Sequence, residues 1–213
     1  MLAHVSLFTG IGGWEYALQI AAIPVRTVLY CEKEPYRQQV IRQRVKDGIF
    51  DDAPIWPDVR TLDGLPFAGR VGVLTASFPC QPFSTAGRHR GKADDRNLWP
   101  DTRRLIGEIR PGYALLENVP GLIFGGYAQE IVGDLTALGY DSVWGVVSAR
   151  DVGAPHRRDR WWCVGLAGEG AAGGIRGFLR GMACPQAIGR PQREYDRPES
   201  GNANSGLASP AGG

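Results

Sequence analysis

Two stretches of the chain hold residue types that could carry covalent and acid–base chemistry. In Ser77-Phe78-Pro79-Cys80-Gln81-Pro82-Phe83-Ser84, two prolines flank a cysteine just beyond an apolar run. Proline fixes the backbone and so sets the direction of a neighbouring side chain, as a nucleophile requires. A buried cysteine acting as a small hydrophobe is the commoner fate of the type, but this polar, turn-prone neighbourhood is not core. Arg88, Arg90 and Lys92 follow closely, and folded back over Cys80 they would favour its thiolate. The second stretch, Glu117-Asn118-Val119-Pro120, closes the apolar run Ala114-Leu115-Leu116. A carboxyl emerging from such a run is partly desolvated, which favours the protonated form and suits a general acid. Further on, Pro155-His156-Arg157-Arg158-Asp159-Arg160 leads into Trp161-Trp162-Cys163-Val164. A charge run is ordinarily a solvated face. If 158 and 160 share a face as a strand begins, however, two guanidiniums point one way, towards a phosphate or a carboxylate.

A separate group of residues has nucleoside-binding character. Phe8-Thr9-Gly10-Ile11-Gly12-Gly13 follows an apolar run and opens a helical pattern. Its glycines allow a sharp turn and a close backbone approach to a ligand. The spacing is GxGG rather than the GxGxxG of dinucleotide sites, so a smaller nucleoside-like ligand is favoured over a pyrophosphate. By itself the turn is equally a tight strand-to-helix connection. Glu32, 20 residues beyond Gly12, stands where an acid accepts from ribose hydroxyls. The bland alternative, an acid favouring the start of the next helix, suits Glu34 better. Asp58, in Trp56-Pro57-Asp58-Val59, offers an acceptor for an exocyclic amine.

These residues need a frame that brings them together. Short apolar runs at 4–8, 25–31, 71–76, 113–116, 141–149 and 161–166 alternate with helical patterns at 14–23, 35–46, 97–109 and 127–138. In the first helix Trp14, Ala17, Leu18 and Ala21 share a face, and Pro35 suits the first turn of the second. The alternation predicts an α/β layer structure with a mainly parallel sheet. Ligands of such sheets sit outside the carboxyl ends of the strands. Phe8 to Gly10, Glu32, Phe78 to Cys80 and Glu117 to Asn118 should therefore converge on one crevice.

Composition narrows the class. With 24 basic and 22 acidic residues in 213, the formal charge of +2 excludes a polybasic coat but leaves local phosphate-binding patches open. The length supports one hydrophobic core rather than two full domains. No apolar run reaches 18 residues, so no membrane-spanning segment is expected, and the start of the chain does not read as a signal peptide. Cys31, Cys80, Cys163 and Cys184 show neither CxxC nor metal spacing, so the expectation is a reduced, cytoplasmic protein without a metal. The texture changes at residue 168. The last 46 residues hold 11 glycines and 4 prolines and can bury little. The chain therefore divides into 1–167 and a Gly/Pro-rich tail, 168–213, given a mildly basic cast by Arg176, Arg180, Arg190, Arg193 and Arg197.

The motifs resemble those of the catalytic N-terminal part of DNA (cytosine-5) methyltransferases. Phe8, Gly10 and Gly12 match the family's Phe-x-Gly-x-Gly turn, and Glu32 matches the acid after its second strand. Pro79, Cys80 and Gln81 match its catalytic loop, Glu117, Asn118 and Val119 its Glu-Asn-Val step. His156, Arg158 and Arg160 match its Gln-x-Arg-x-Arg step. The resemblance covers about residues 3–167. It implies a Rossmann-like, S-adenosylmethionine-dependent fold whose mainly parallel sheet has an antiparallel strand near the C-terminal edge. It also implies transfer of the methyl group of S-adenosylmethionine to C5 of cytosine in double-stranded DNA, with S-adenosylhomocysteine as product. Cys80, Glu117, Arg158 and Arg160 would be catalytic. Phe8, Gly10, Gly12, Gly13, Glu32, Asp58, Pro79 and Leu98 would line the cofactor site. The target base would be flipped out of the duplex, with 84–96, carrying Arg88, Arg90, Lys92 and Arg96, as a lid and phosphate clamp.

The chain departs from the family pattern in several places. Ser6 stands where many relatives have Asp, and His156 where they have Gln. Lys33 stands where an aromatic or apolar residue often packs on adenine. Family members usually continue with a target-recognition domain and a final conserved segment, for which the 46 tail residues leave no room. Residues 168–213 then read as a tail or as the start of a recognition region, with a second polypeptide as a candidate source of the rest. The competing readings are an RNA cytosine-5 methyltransferase and a catalytically idle accessory protein that keeps the fold. Retention of Cys80, Glu117, Arg158 and Arg160 together argues against decay of the chemistry.

Overall fold

The computed structural model describes residues 1–79 and 97–168. Seven strands and five α-helices alternate along it. They are β1 (Leu2–Leu7), α1 (Gly13–Ile20), β2 (Val25–Cys31), α2 (Pro35–Lys46), β3 (Ile55–Trp56), β4 (Val73–Ala76), α3 (Trp99–Ile109), β5 (Tyr113–Asn118), α4 (Gly121–Phe124), α5 (Tyr127–Ala137), β6 (Tyr140–Ser148) and β7 (Asp159–Ala167). One sheet has the order β3-β2-β1-β4-β5-β7-β6. Every pairing from β3 to β5 is parallel, and β7 runs antiparallel to both of its neighbours. The predicted fold, including an antiparallel strand near the C-terminal edge, is the one observed. Among the described residues no helix is long and apolar enough to cross a membrane.

Local sequence explains the helix limits. Glu34 caps α2 by accepting from the Tyr36 and Arg37 amides, and Pro35 occupies the first turn, where its missing N–H costs nothing. In α3 the side chains of Leu105, Ile106 and Ile109 are buried at helical spacing, and left-handed Arg110 followed by Pro111 ends it. In α5, Tyr127, Ala128, Ile131 and Leu135 form the buried stripe. The buried face of α1 differs from the expected one. Glu15 and Leu18 are buried beside half-buried Trp14, whereas Ala17 and Ala21 are exposed.

The largest core lies on the sheet face covered by α3, α4 and α5. There Leu7, Cys31, Leu74, Leu116, Trp161 and Cys163 meet Trp99, Ile106, Leu122 and Ile131. Beneath α1 the opposite face is smaller and more polar. His4 sits between Thr27 of β2 and Thr75 of β4, its ring nitrogens 3.0 and 2.9 Å from the two hydroxyls. This bridge ties together the three strands whose carboxyl ends carry most of the expected site.

Candidate active site

The turn after β1 is shaped by unusual backbone. Phe8, Gly10 and Gly12 have φ of 54°, 61° and 88°. The left-handed region costs an aromatic residue strain that glycine avoids. Thr9 pins the turn from inside: its hydroxyl donates to the Ser6 carbonyl at 3.1 Å, and its amide donates to the Cys31 carbonyl at 3.1 Å. Gly12 has no room for a side chain, since a Cβ would lie 2.2 Å from the Phe50 ring. A Cβ at Gly13, the first residue of α1, would meet nothing within 4 Å. Space is thus open where the first helical amides lack intrahelical partners.

Glu32 follows β2 and is 5% exposed. Its Oε2 accepts from the Gly10 amide at 2.7 Å and its Oε1 from the Glu34 amide at 2.8 Å. The acid therefore braces the glycine turn. Glu34, as the alternative reading proposed, is the residue that caps the helix. Asp58 follows β3, the neighbour of β2. Its Oδ1 accepts from the Arg60 amide at 3.1 Å and from Arg60 Nε at 3.0 Å. Its Oδ2 lies 2.6 Å from Arg60 Nη2 and 3.4 Å from Lys33 Nζ. The Arg60 hydrogen bonds, with Lys33 nearby, hold this carboxyl well below the usual carboxylate range. Leu98, half-buried against the main core, lies immediately before α3.

The other end of the crevice is built on β4, β5 and β7. Two bonds hold the chain as it leaves β4: Trp14 Nε1 donates to Ser77 Oγ at 3.0 Å, and Asn118 Nδ2 to the Phe78 carbonyl at 2.8 Å. The Phe78 side chain is buried against Trp99, and Pro79 is exposed. Cys80 and the expected lid at 84–96 lie outside the described residues, as does the tail from residue 169. Glu117 lies opposite Trp162 in the β5–β7 ladder. The Trp162 ring meets Trp14 edge-on, with centroids 5.3 Å apart.

Glu117 differs from its sequence picture. In place of apolar surroundings it has a guanidinium, with Arg160 Nε 2.8 Å from its Oε1. The two residues stand 43 apart in sequence, and the antiparallel β5–β7 register brings them together. Arg158 precedes β7 and is exposed. Among the described residues no carboxylate lies within ion-pair distance of it, so the structure joins Arg160 but not Arg158 to Glu117. The described cysteines, Cys31 and Cys163, are both buried, and burial is the main cause that pushes each thiol up to about 12. Neither is a thiolate at neutral pH.

The sequence motifs give no structural role to Asn118, Trp14 or Arg60, and they place Lys33 at the adenine rather than on Asp58, which it reaches in the structure. Asn118 sits in a named motif and Trp14 adjoins the glycine turn, so both were within reach. The Lys33–Asp58 pairing depends on the adjacency of β2 and β3, which no local pattern announces, whereas Arg60 meets Asp58 within one short turn.

Fold and crevice together define a Rossmann-like, S-adenosylmethionine-dependent methyltransferase architecture. The family model described as C-5 cytosine-specific DNA methylase matches residues 2–177. The chain is 33% identical over 168 residues to the type II methyltransferase M.NgoMIV of Neisseria gonorrhoeae, covering 78% of this chain and 52% of that protein. It is 34% identical over 170 residues to the type II methyltransferase M.NlaX of Neisseria lactamica, with 78% and 52% covered. The solved S. pombe Dnmt2 methyltransferase superposes with a TM-score of 0.64 at 25% identity, over 92% of this chain and 58% of that one. A DNMT2 variant from Spodoptera frugiperda shares the fold with a TM-score of 0.65 at 19% identity, over 78% and 50%. The chain belongs to the C-5 cytosine-specific DNA methylase family, and it spans about half the length of the curated relatives it matches.

The family and fold imply use of S-adenosylmethionine, and the residues present fit that group. The glycine turn leaves open space beside the first amides of α1, as a carboxylate-bearing methionine end requires. At the neighbouring strand ends, Glu32 and Asp58 supply acceptors suited to hydroxyls and an amine.

Proposed function

We propose that this chain supplies the catalytic part of an enzyme that methylates C5 of cytosine in double-stranded DNA through a covalent cysteine adduct. Residues 1–167 are the catalytic and cofactor-binding part, and 168–213 are a tail or the start of a recognition region. The observation that carries the reading is the bond from Asn118 to the Phe78 carbonyl. It ties the backbone two residues before Cys80 to the residue adjoining the Glu117–Arg160 pair.

In this reading the Cys80 thiolate adds to C6 of a flipped cytosine, and the C5=C6 electrons become available at C5. Glu117 holds N3 and the exocyclic amine and shares a proton with N3 as the ring becomes electron-rich. Arg160 orients Glu117, and Arg158 supports the base. Bound S-adenosylmethionine supplies an electrophilic methyl group for C5. Loss of the C5 proton then restores the double bond and expels Cys80. Phe8, Gly10, Gly12 and Gly13 hold the methionine end of the cofactor, Glu32 the ribose and Asp58 the adenine amine, with Pro79 and Leu98 lining the pocket. Transfer of labelled methyl groups to duplex DNA and to structured RNA, measured side by side, tests the substrate. Incorporation into C5 of cytosine in DNA supports the reading, and incorporation into RNA alone replaces it.

A further inference from the structure

Lys33 stands at the end of the site assigned to adenine. It directly follows Glu32 at the end of β2, yet its ammonium reaches Asp58 beyond the end of β3, at 3.4 Å. The gap it crosses separates the acid assigned to the ribose from the acid assigned to the adenine amine. A carboxylate has about four acceptor positions; Asp58 accepts three hydrogen bonds, from the Arg60 amide, Nε and Nη2, and a fourth contact is the ion pair with Lys33 Nζ at Oδ2. An incoming amine at Oδ2 competes with that ammonium.

Three of the four belong to Arg60, which grips both oxygens and shares a short turn with Asp58. Lys33 is the longest contact, and its side chain is 70% exposed, so it is the donor most easily returned to water. We propose that Lys33 is an ion-pair strap across the end of the site assigned to adenine, and that cofactor binding breaks its contact with Asp58 so that the 6-amine takes its place. The inference rests on the cofactor reading above. The strap lowers affinity for an adenine-bearing ligand by the strength of one exposed ion pair, and its released stem becomes available to pack on the ring.

The test is calorimetric titration of the full chain and its K33M variant with S-adenosylhomocysteine and with S-inosylhomocysteine, which carries a carbonyl in place of the amine. Methionine keeps the length of the stem and removes only the charge. The expected result is S-adenosylhomocysteine binding about one and a half to fivefold tighter in K33M, with the difference shrinking at high salt. S-Inosylhomocysteine should gain nothing from the substitution. Binding of S-adenosylhomocysteine by the unsubstituted chain with equal or weaker binding by K33M overturns the strap while leaving the cofactor reading in place. Failure of both proteins to bind S-adenosylhomocysteine removes the cofactor reading and the strap together.

Discussion

Acid should loosen the joint beneath the glycine turn, and His4 sets the pH at which it does so. The ring has no exposed surface, and burial pushes its pKa from 6.5 down to about 4. As pH falls, the unfolded chain takes up this proton well before the folded chain does. The contribution is therefore complete above pH 6.5 and is lost as pH falls towards 4. At roughly 1.36 kcal/mol per pH unit, the interval from 6.5 to about 4 limits the loss to roughly 3.4 kcal/mol. Roughly 2 kcal/mol of it should be gone by about pH 5. Because β1, β2 and β4 meet at this ring, the loss falls on the strands that present Gly10, Glu32 and Pro79. Urea unfolding of wild type and His4→Gln at about pH 7.5 and about pH 5 isolates the term, since other titrating groups are common to both. Ring chemical shifts of His4, followed by NMR, give the folded value directly. A ring that titrates near 6.5, or parallel stability profiles for the two proteins, would refute the reasoning.

Three further outcomes follow from single residues. Glu15 is 4% exposed, and neither carboxylate oxygen completes a hydrogen bond among the described residues. Burial raises its pKa, offset in part by the Ser6 hydroxyl, so the cost of its charge grows as pH rises through and above the ordinary carboxyl range. Glu15→Gln should accordingly raise the Tm at about pH 8 and leave it nearly unchanged at about pH 4, read by thermal melts. Gly12→Ala combines a left-handed backbone with a Cβ 2.2 Å from Phe50. It should cost about 2–4 kcal/mol in chemical denaturation and weaken S-adenosylhomocysteine binding. Glu117→Gln keeps a partner for Arg160 but removes the shared proton. Methyl transfer should fall about 10²- to 10⁴-fold with cofactor affinity preserved, and an unchanged transfer rate removes the acid role.

The sequence revealed the sheet well because its strands are near-continuous apolar runs between helical patterns with clear stops. Leu29 to Cys31 and Val73 to Ala76 read as strand because both faces of the sheet bury them. β3 went unread because its two residues make too short a pattern, though it is what places Asp58 beside β2. The apolar pattern of α1 misplaces its buried face because Ala17 and Ala21 are exposed while Glu15 is buried beside Leu18. Glu15 lies three residues before Leu18, and that spacing was the available signal. His4, Ser6, Thr27 and Thr75 interrupt apolar strands at alternate positions, which marks a polar layer that only the sheet order assembles. The glycine turn, Glu32 and the Pro79 and Glu117 stretches were legible as local motifs. The Glu117–Arg160 and Lys33–Asp58 pairs were not, because each depends on strands brought together by the fold.

In the proposed reaction Cys80 bonds to a cytosine at C6. Duplex DNA carrying 5-fluorocytosine, incubated with the chain and S-adenosylmethionine and then denatured, traps that bond. Fluorine at C5 cannot leave as a proton does, so the enzyme should stall while attached. The expected result is a denaturation-stable adduct that requires S-adenosylmethionine and disappears in Cys80→Ser. An adduct that survives in Cys80→Ser would overturn the assignment of Cys80 as the nucleophile.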